Sequence, residues 1–171
     1  MEKHITKSFE ETQEIGQNFA REILAAKPQK SATVLALQGD LGAGKTTFLQ
    51  GFAKGLGIEE VVNSPTFIVM KRFKIYDLRF KNFYHFDLYR LENEKDADFL
   101  NFQEIMKDPK NIIAIEWPEK ISKILGTPSL RLVARVAGSA GTPDLAKRGN
   151  LISIIFNHLG EHKREIKIID F

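Results

Sequence analysis

The chain has 171 residues, 43% of them hydrophobic, enough for a single domain over 1–171 that buries its own core. Its 25 basic and 22 acidic side chains leave a net charge of +3, too mild by itself to mark a nucleic-acid protein. The absence of cysteine excludes disulfides and thiolate metal sites, no apolar run approaches the roughly 18 residues that span a bilayer, and the polar start Met1-Glu2-Lys3-His4 is unlike a signal peptide, so the expectation is a cytoplasmic protein with no membrane contact.

Ser8-Phe9-Glu10-Glu11 reads as a capping box, and Ile15, Phe19 and Ile23 at steps of four predict a helix ending near Ala26, before Pro28. Thr33 to Gln38 is an apolar run of strand length. Thr47 to Leu56 carries Phe48, Leu49, Phe52, Ala53 and Leu56 at helical spacing, with Gly57 as its cap. Ser64-Pro65 then breaks the chain before an extended run from Phe67 to Phe73. A turn over Asp77 to Arg79 leads into a strand, Asn82 to Asp87. Asp96 to Met106 has a weaker helical pattern, whereas Asn111 to Glu116 is nearly all apolar and suits the middle of a parallel sheet. Pro118 can open a short helix running through Leu125. Three strands follow, near Leu130 to Ala137, Leu151 to Phe156 and Ile166 to Ile169, with a loop from Gly138 to Gly149 between the first two. Strands alternating with helices predict an α/β fold with a largely parallel central sheet and antiparallel C-terminal strands; with the loop motif below, this is a three-layer P-loop NTPase fold.

Gly39-Asp40-Leu41-Gly42-Ala43-Gly44-Lys45-Thr46 fits G-x-x-x-x-G-K-T at every fixed position, and Thr47 continues it. Glycines let backbone N–H groups turn onto phosphates, the lysine reaches the β/γ oxygens, and the Thr46 hydroxyl can ligate Mg²⁺. A strand before the loop and a helix after it are the context this chemistry needs. The metal also calls for a carboxylate at the end of a neighbouring strand. Glu116 and Asp87 are the candidates, and strand logic favours Glu116, which follows four apolar residues. His85 lies two residues before Asp87, on its face of the strand, and reads equally as a packed histidine; His4, His158 and His162 show no ligand spacing with it.

Two basic stretches stand out. Lys71, Arg72, Lys74, Arg79 and Lys81 have only Asp77 against them, and Lys147, Arg148, Lys163, Arg164 and Lys167 form a second group. Solvated loops and sheet edges are the ordinary account of both, and an anion- or RNA-facing role is the alternative.

Gly-Asp-Leu-Gly-Ala-Gly-Lys-Thr-Thr (39–47), Ser-Pro-Thr-Phe (64–67), His-Phe-Asp-Leu-Tyr-Arg-Leu (85–91) and Ile-Glu-Trp-Pro-Glu (115–119) together resemble the bacterial TsaE family, the small ATPases of tRNA threonylcarbamoyladenosine biosynthesis. The resemblance implies an ATP-binding protein that supports formation of the modified base in tRNAs reading ANN codons, with TsaD and TsaB as partners and tRNA reached through that complex. It implies Mg²⁺ on Thr46 and Glu116, a switch-type segment from Ser64 to Thr66 with Thr66 near the γ-phosphate, and Asp87 required for hydrolysis. It also implies Trp117 beside the site and an arginine of the late loop, Arg148, approaching the nucleotide. Lys74 to Lys81 departs from the family pattern by its positive charge. A small-molecule kinase would need an arginine-rich lid, but the loop Gly138 to Gly149 holds only Arg148, and a GTPase would need an Asn-Lys-x-Asp tetrad, which is absent. No arginine is clearly placed on a rigid element facing the γ-phosphate, so weak intrinsic ATPase activity that partners stimulate is the expectation.

Overall fold

The computed structural model of the chain describes residues 1–26, 30–92, 100–122, 125, 150–160 and 163–170. The elements in chain order are β1 (Glu2–Thr6), α1 (Phe9–Ala25), β2 (Thr33–Gln38), α2 (Lys45–Gly55), β3 (Met70–Lys74), β4 (Asn82–Asp87), α3 (Phe102–Lys107), β5 (Asn111–Glu116), a 3₁₀ turn (Pro118–Ile121), β6 (Leu151–His158) and β7 (Arg164–Asp170). One seven-stranded sheet has the order β1-β7-β6-β2-β5-β4-β3. Its four inner strands β6, β2, β5 and β4 are parallel, β7 and β3 flank them antiparallel, and β1 pairs antiparallel to β7 at the outer edge.

β2 and β5 sit at the centre because their side chains are apolar on both faces, the pattern of a parallel strand covered on both sides. Leu35 and Leu37 point to a core with Phe48 and Phe52 of α2 and Phe19 of α1, while Val34 and Ala36 point to a second core with Phe86, Phe102 and Ile121. Helix α1 opens as its capping box predicts, with Ser8 Oγ accepting from the Glu11 amide at 3.1 Å.

The two helices approach so closely that no side chain fits between them at Gly51 and Gly16. A Cβ on Gly51 would lie 1.9 Å from the Gln13 carbonyl oxygen, and one on Gly16 would lie 2.2 Å from that of Phe48. Both obstacles are backbone, so α1 and α2 would have to separate. Gly51→Ala gains about 1 kcal/mol in helix propensity but takes on an overpacking penalty of about 3 kcal/mol. The expected net loss is about 2 kcal/mol, seen in thermal unfolding as a melting temperature lower by roughly 4–8 °C.

Several elements depart from the sequence expectation. The extended run from Phe67 to Phe73 is shortened to β3: the Ile68 and Val69 amides donate to the Pro65 carbonyl, and Val69 sits at φ 64°, so 66–69 is a turn whose Phe67 and Ile68 are exposed. β6 joins β2 in parallel, so of the C-terminal strands described only β7 is antiparallel to its neighbours. Its continuous burial from Leu151 to Ile154 is that of an inner strand. β1, rich in polar residues and pairing only through β7, carries no apolar run to announce it. Helix α3 falls at the end of the predicted Asp96 to Met106 segment, and of the helix expected through Leu125 the described residues form the 3₁₀ turn Pro118–Ile121, 123–124 lying outside them. The strand near Leu130 to Ala137 and the loop Gly138 to Gly149 lie outside the described residues.

Candidate functional site

Parallel pairing puts the carboxyl ends of β2, β5 and β4 side by side, and the loops leaving them share one edge of the sheet. The Gly39–Thr46 segment leaves β2 and enters α2. Gly39, Gly42 and Gly44 take φ of 142°, 77° and 101°, conformations that side-chain-bearing residues rarely adopt. Gly44 is the N-cap of α2 and has no side-chain cap, leaving first-turn amides free for an anion. Leu41 is exposed at the tip, Ala43 is buried beneath it, and Asp40 anchors the loop by accepting from the Ala43 amide.

Lys45 is only 4% exposed. Its Nζ donates to the carbonyls of Gly39 and Asp40 at 2.7 and 2.9 Å and stands 4.3 Å from the centroid of the Trp117 ring. Loss of hydration lowers its pKa from the ordinary lysine value, and the charges of Glu116, Asp87, Glu119 and Asp40 work in the opposite direction. The ammonium is thus held against the inside of the loop among acidic groups.

Both acidic candidates are buried, and they are register partners, Asp87 ending β4 beside Glu116 ending β5. They have different partners. Thr46 Oγ1 donates to Glu116 Oε1 at 2.9 Å, and His85 Nε2 meets the same oxygen at 2.9 Å. A carboxylate only accepts, so Nε2 carries the proton; Nδ1 of this fully buried ring has no partner. His85 is therefore a packed histidine that also orients Glu116. Asp87 is bound to the preceding turn: its Oδ2 accepts from Thr66 Oγ1 at 2.5 Å and from Ser64 Oγ, and its Oδ1 accepts from the Tyr89 amide at 3.0 Å.

Of the three non-glycine residues with positive φ among the described residues, two adjoin these carboxylates. Val69, whose carbonyl accepts from the Asp87 amide, and Trp117, which follows Glu116, have φ of 64° and 61°, a costly conformation for a β-branched or bulky residue. The Asp87 amide donates to the Val69 carbonyl at 3.0 Å, so the strained turn is pinned to the end of β4 and delivers Ser64 and Thr66 to the carboxylate. The strained Trp117 turns its ring toward Lys45 and Tyr89, whose ring centroid is 5.2 Å away. Since the sole tryptophan touches the loop lysine, its emission is expected to change on nucleotide titration; a flat response alongside calorimetric binding would mean the indole contact survives ligation.

Among the described residues, no cluster of three or more His, Cys, Asp or Glu could hold a metal alone. The hydroxyl and carboxylate of Thr46 and Glu116 nevertheless suit Mg²⁺, which takes one or two protein oxygens and completes its shell from water and phosphate. Adjacent ligands of an octahedron with bonds of about 2.05 Å are about 2.9 Å apart. Thr46 Oγ1 and Glu116 Oε1 are separated by 2.9 Å.

The structure therefore gathers Gly39, Asp40, Leu41, Gly42, Ala43, Gly44, Lys45, Thr46 and Thr47 with Thr66, Asp87, Glu116 and Trp117 at one edge of the sheet. Arg148 lies outside the described residues. The second basic group is not simply a solvated face: Lys167 pairs with Glu165 at 2.8 Å, and Arg164 is buried against the glycine loop. Nothing local in the sequence marks Arg164, because its burial depends on β7 pairing between β1 and β6.

A family model for the threonylcarbamoyl adenosine biosynthesis protein TsaE matches residues 6–141. The tRNA threonylcarbamoyladenosine biosynthesis protein TsaE of Bacillus subtilis (strain 168) is 42% identical over 115 residues, 67% of this chain and 69% of that protein. Its namesake in Rickettsia conorii is 33% identical over 169 residues, 98% of this chain and 85% of the other. The crystal structure of Bacillus subtilis YdiB superposes with a TM-score of 0.61 at 29% identity, covering 98% of this chain and 83% of that one. The chain belongs to the TsaE family of threonylcarbamoyl adenosine biosynthesis proteins.

Proposed function

We propose that this protein is a P-loop ATPase that binds ATP with Mg²⁺ and acts as an accessory component, with TsaD and TsaB, in forming threonylcarbamoyladenosine in tRNAs reading ANN codons, reaching tRNA through that complex in the cytoplasm. The observation that carries the reading is the convergence of Lys45, Thr46 and Glu116 on one uncapped helix N-terminus, with Thr46 hydrogen-bonded to Glu116 at 2.9 Å. Glycine-loop amides and Lys45 bind the phosphates. Thr46 and Glu116 would hold the metal, which supplies charge neutralisation across the β- and γ-phosphates. His85 keeps Glu116 oriented through its Nε2 hydrogen bond. Asp87, on the neighbouring strand, orients the attacking water, and the Ser64–Thr66 turn hydrogen-bonded to it is the segment that responds to the γ-phosphate.

No arginine among the described residues approaches the carboxylate flank closely enough to bond Glu116 or Asp87. Slow turnover by the protein alone and completion of the site by partners are part of the proposal. The test is steady-state phosphate release by the protein alone and mixed with TsaD and TsaB, paired with a threonylcarbamoyladenosine assay on tRNA. Stimulation by the partners and loss of modification without this protein support the reading; rapid autonomous turnover that the partners leave unchanged would sink it.

Glu116→Ala separates the metal from the phosphates. Nucleotide binding without Mg²⁺ is expected to persist, while the gain in affinity on adding Mg²⁺ falls by about tenfold or more. Calorimetry with and without the metal checks this, and an unchanged Mg²⁺ dependence would move the ligand role elsewhere.

A further inference from the structure

Arg164 opens β7 and is 6% exposed, yet no carboxylate among the described residues pairs with it and its Nε has no hydrogen-bond partner. The neighbouring Glu165 is already taken by Lys3 at 2.6 Å and Lys167 at 2.8 Å, which hold its carboxyl down at about 2. A buried guanidinium with no counter-charge among the described residues is unfavourable unless an anionic ligand completes it.

Its surroundings say where that partner would lie. Arg164 Cδ and Nε are 2.9 and 3.1 Å from the point a Cβ on Gly44 would occupy, so the side chain rests on the glycine that caps α2. The guanidinium carbon is 5.0 Å from the ring centroid of Phe9, the exposed first residue of α1. Pairing of Arg164 with His158 of β6 and Thr6 of β1 brings it to the edge of the sheet from which the glycine loop emerges. In the strand order it lies on the β7 side of β2, while Glu116 and Asp87 lie on the β5–β4 side.

We propose that Arg164 is a nucleotide-binding residue, its guanidinium held against Phe9 and bonded to the α-phosphate of a nucleoside di- or triphosphate. This rests on the reading of the loop as a phosphate site. If Thr46 and Glu116 mark the end of the ligand where the metal bridges the β- and γ-phosphates, the end directed toward β7 carries the α-phosphate and nucleoside. There the unpartnered guanidinium, beside free amides of a helix N-terminus, forms charge-assisted hydrogen bonds.

Arg164→Met keeps an unbranched stem against Gly44 and Phe9 and removes the guanidinium's charge and its hydrogen-bond donors. Calorimetric titration with ATP, ADP and inorganic tripolyphosphate, alongside the melting temperature of the apo protein, is the experiment. The expected result is an affinity for ATP and for ADP about 10–100-fold weaker, by similar factors, with an apo melting temperature equal to the parent's or higher. Tripolyphosphate should be affected as well, and Arg164→Lys should recover part of the loss. Parent-like binding of both nucleotides by Arg164→Met would overturn the proposal. So would a loss accompanied by a lower apo melting temperature, which identifies a packing role, or a loss confined to ATP, which places the arginine at the γ-phosphate. Failure of the parent itself to bind either nucleotide would instead overturn the phosphate-site reading on which this rests.

Discussion

Lys45→Ala is expected to leave the apo protein folded and to abolish nucleotide-dependent stabilisation. The ammonium is buried, its pKa is lowered by lost hydration, and its hydrogen bonds go to carbonyls of its own loop. Removing it relieves a buried charge, so the fold loses little. Phosphates that turn toward the loop would then meet its amides with no ammonium at the β/γ oxygens to offset the charges of Glu116, Asp87, Glu119 and Asp40, Arg164 standing on the β7 side. At a ligand concentration 100 times the dissociation constant, the parent should gain about 2.7 kcal/mol, or roughly 5–11 °C in melting temperature for a chain of this size. The variant should gain nothing measurable, and phosphate release should fall by at least about 10²-fold. A folded variant with parental turnover would remove the basis for the ATPase reading.

Asp87→Ala should bind ATP and lose the partner-stimulated rate, by a factor of about 10² to 10⁴ if the carboxylate handles the proton of the attacking water. Alanine also releases the hydroxyls of Ser64 and Thr66, so its effect mixes chemistry with the geometry of the turn. Asp87→Asn separates the two. Its single amide oxygen can still accept from both hydroxyls in the place of Oδ2, giving up only the bond from the Tyr89 amide, and the side chain has no proton affinity to offer water. A slow Asp87→Asn with parental ATP affinity supports the water-orienting role. A fast one would make Asp87 the anchor of the Ser64–Val69 turn. Phosphate release with TsaD and TsaB present, and affinity without them, are the two readouts.

The site was legible in the sequence where chemistry depends on residues close together in the chain. Gly39 to Thr46 was readable as a phosphate-facing turn because three glycines precede a lysine at a strand-to-helix junction, and Gly39, Gly42 and Gly44 all adopt positive φ. Glu116 followed from burial: a carboxylate closing a strand of Ile112, Ile113, Ala114 and Ile115 stands at a covered edge of the sheet. The turn at 66–69 was misread because Phe67, Ile68 and Val69 have strand composition. What decided against a strand was a pair of amides reaching back to Pro65 and the pinning of Val69 to Asp87, contacts that composition does not encode.

The sequence by itself determined the glycine loop, the two helices it predicts at Ser8 and after Thr46, the buried inner strands, and the identities of the side chains that could carry phosphate and metal chemistry. These follow from periods of two and 3.6 residues and from backbone conformations that only certain residues tolerate, all properties of neighbours in the chain. Tertiary structure alone decided strand order, the parallel entry of β6 beside β2, and the contacts made across it. The hydrogen bond of His85 to Glu116 spans strands β4 and β5, the hydroxyls of Ser64 and Thr66 come to Asp87 from a turn, and Arg164 reaches the cap of α2 from β7, with β6 between it and β2. Such pairings depend on register between segments distant in sequence, where shifting one strand by one residue exchanges its buried and exposed faces. For that reason Arg164, indistinguishable in the sequence from a solvated edge arginine, becomes a buried charge awaiting an anion only when β7 is laid between β1 and β6.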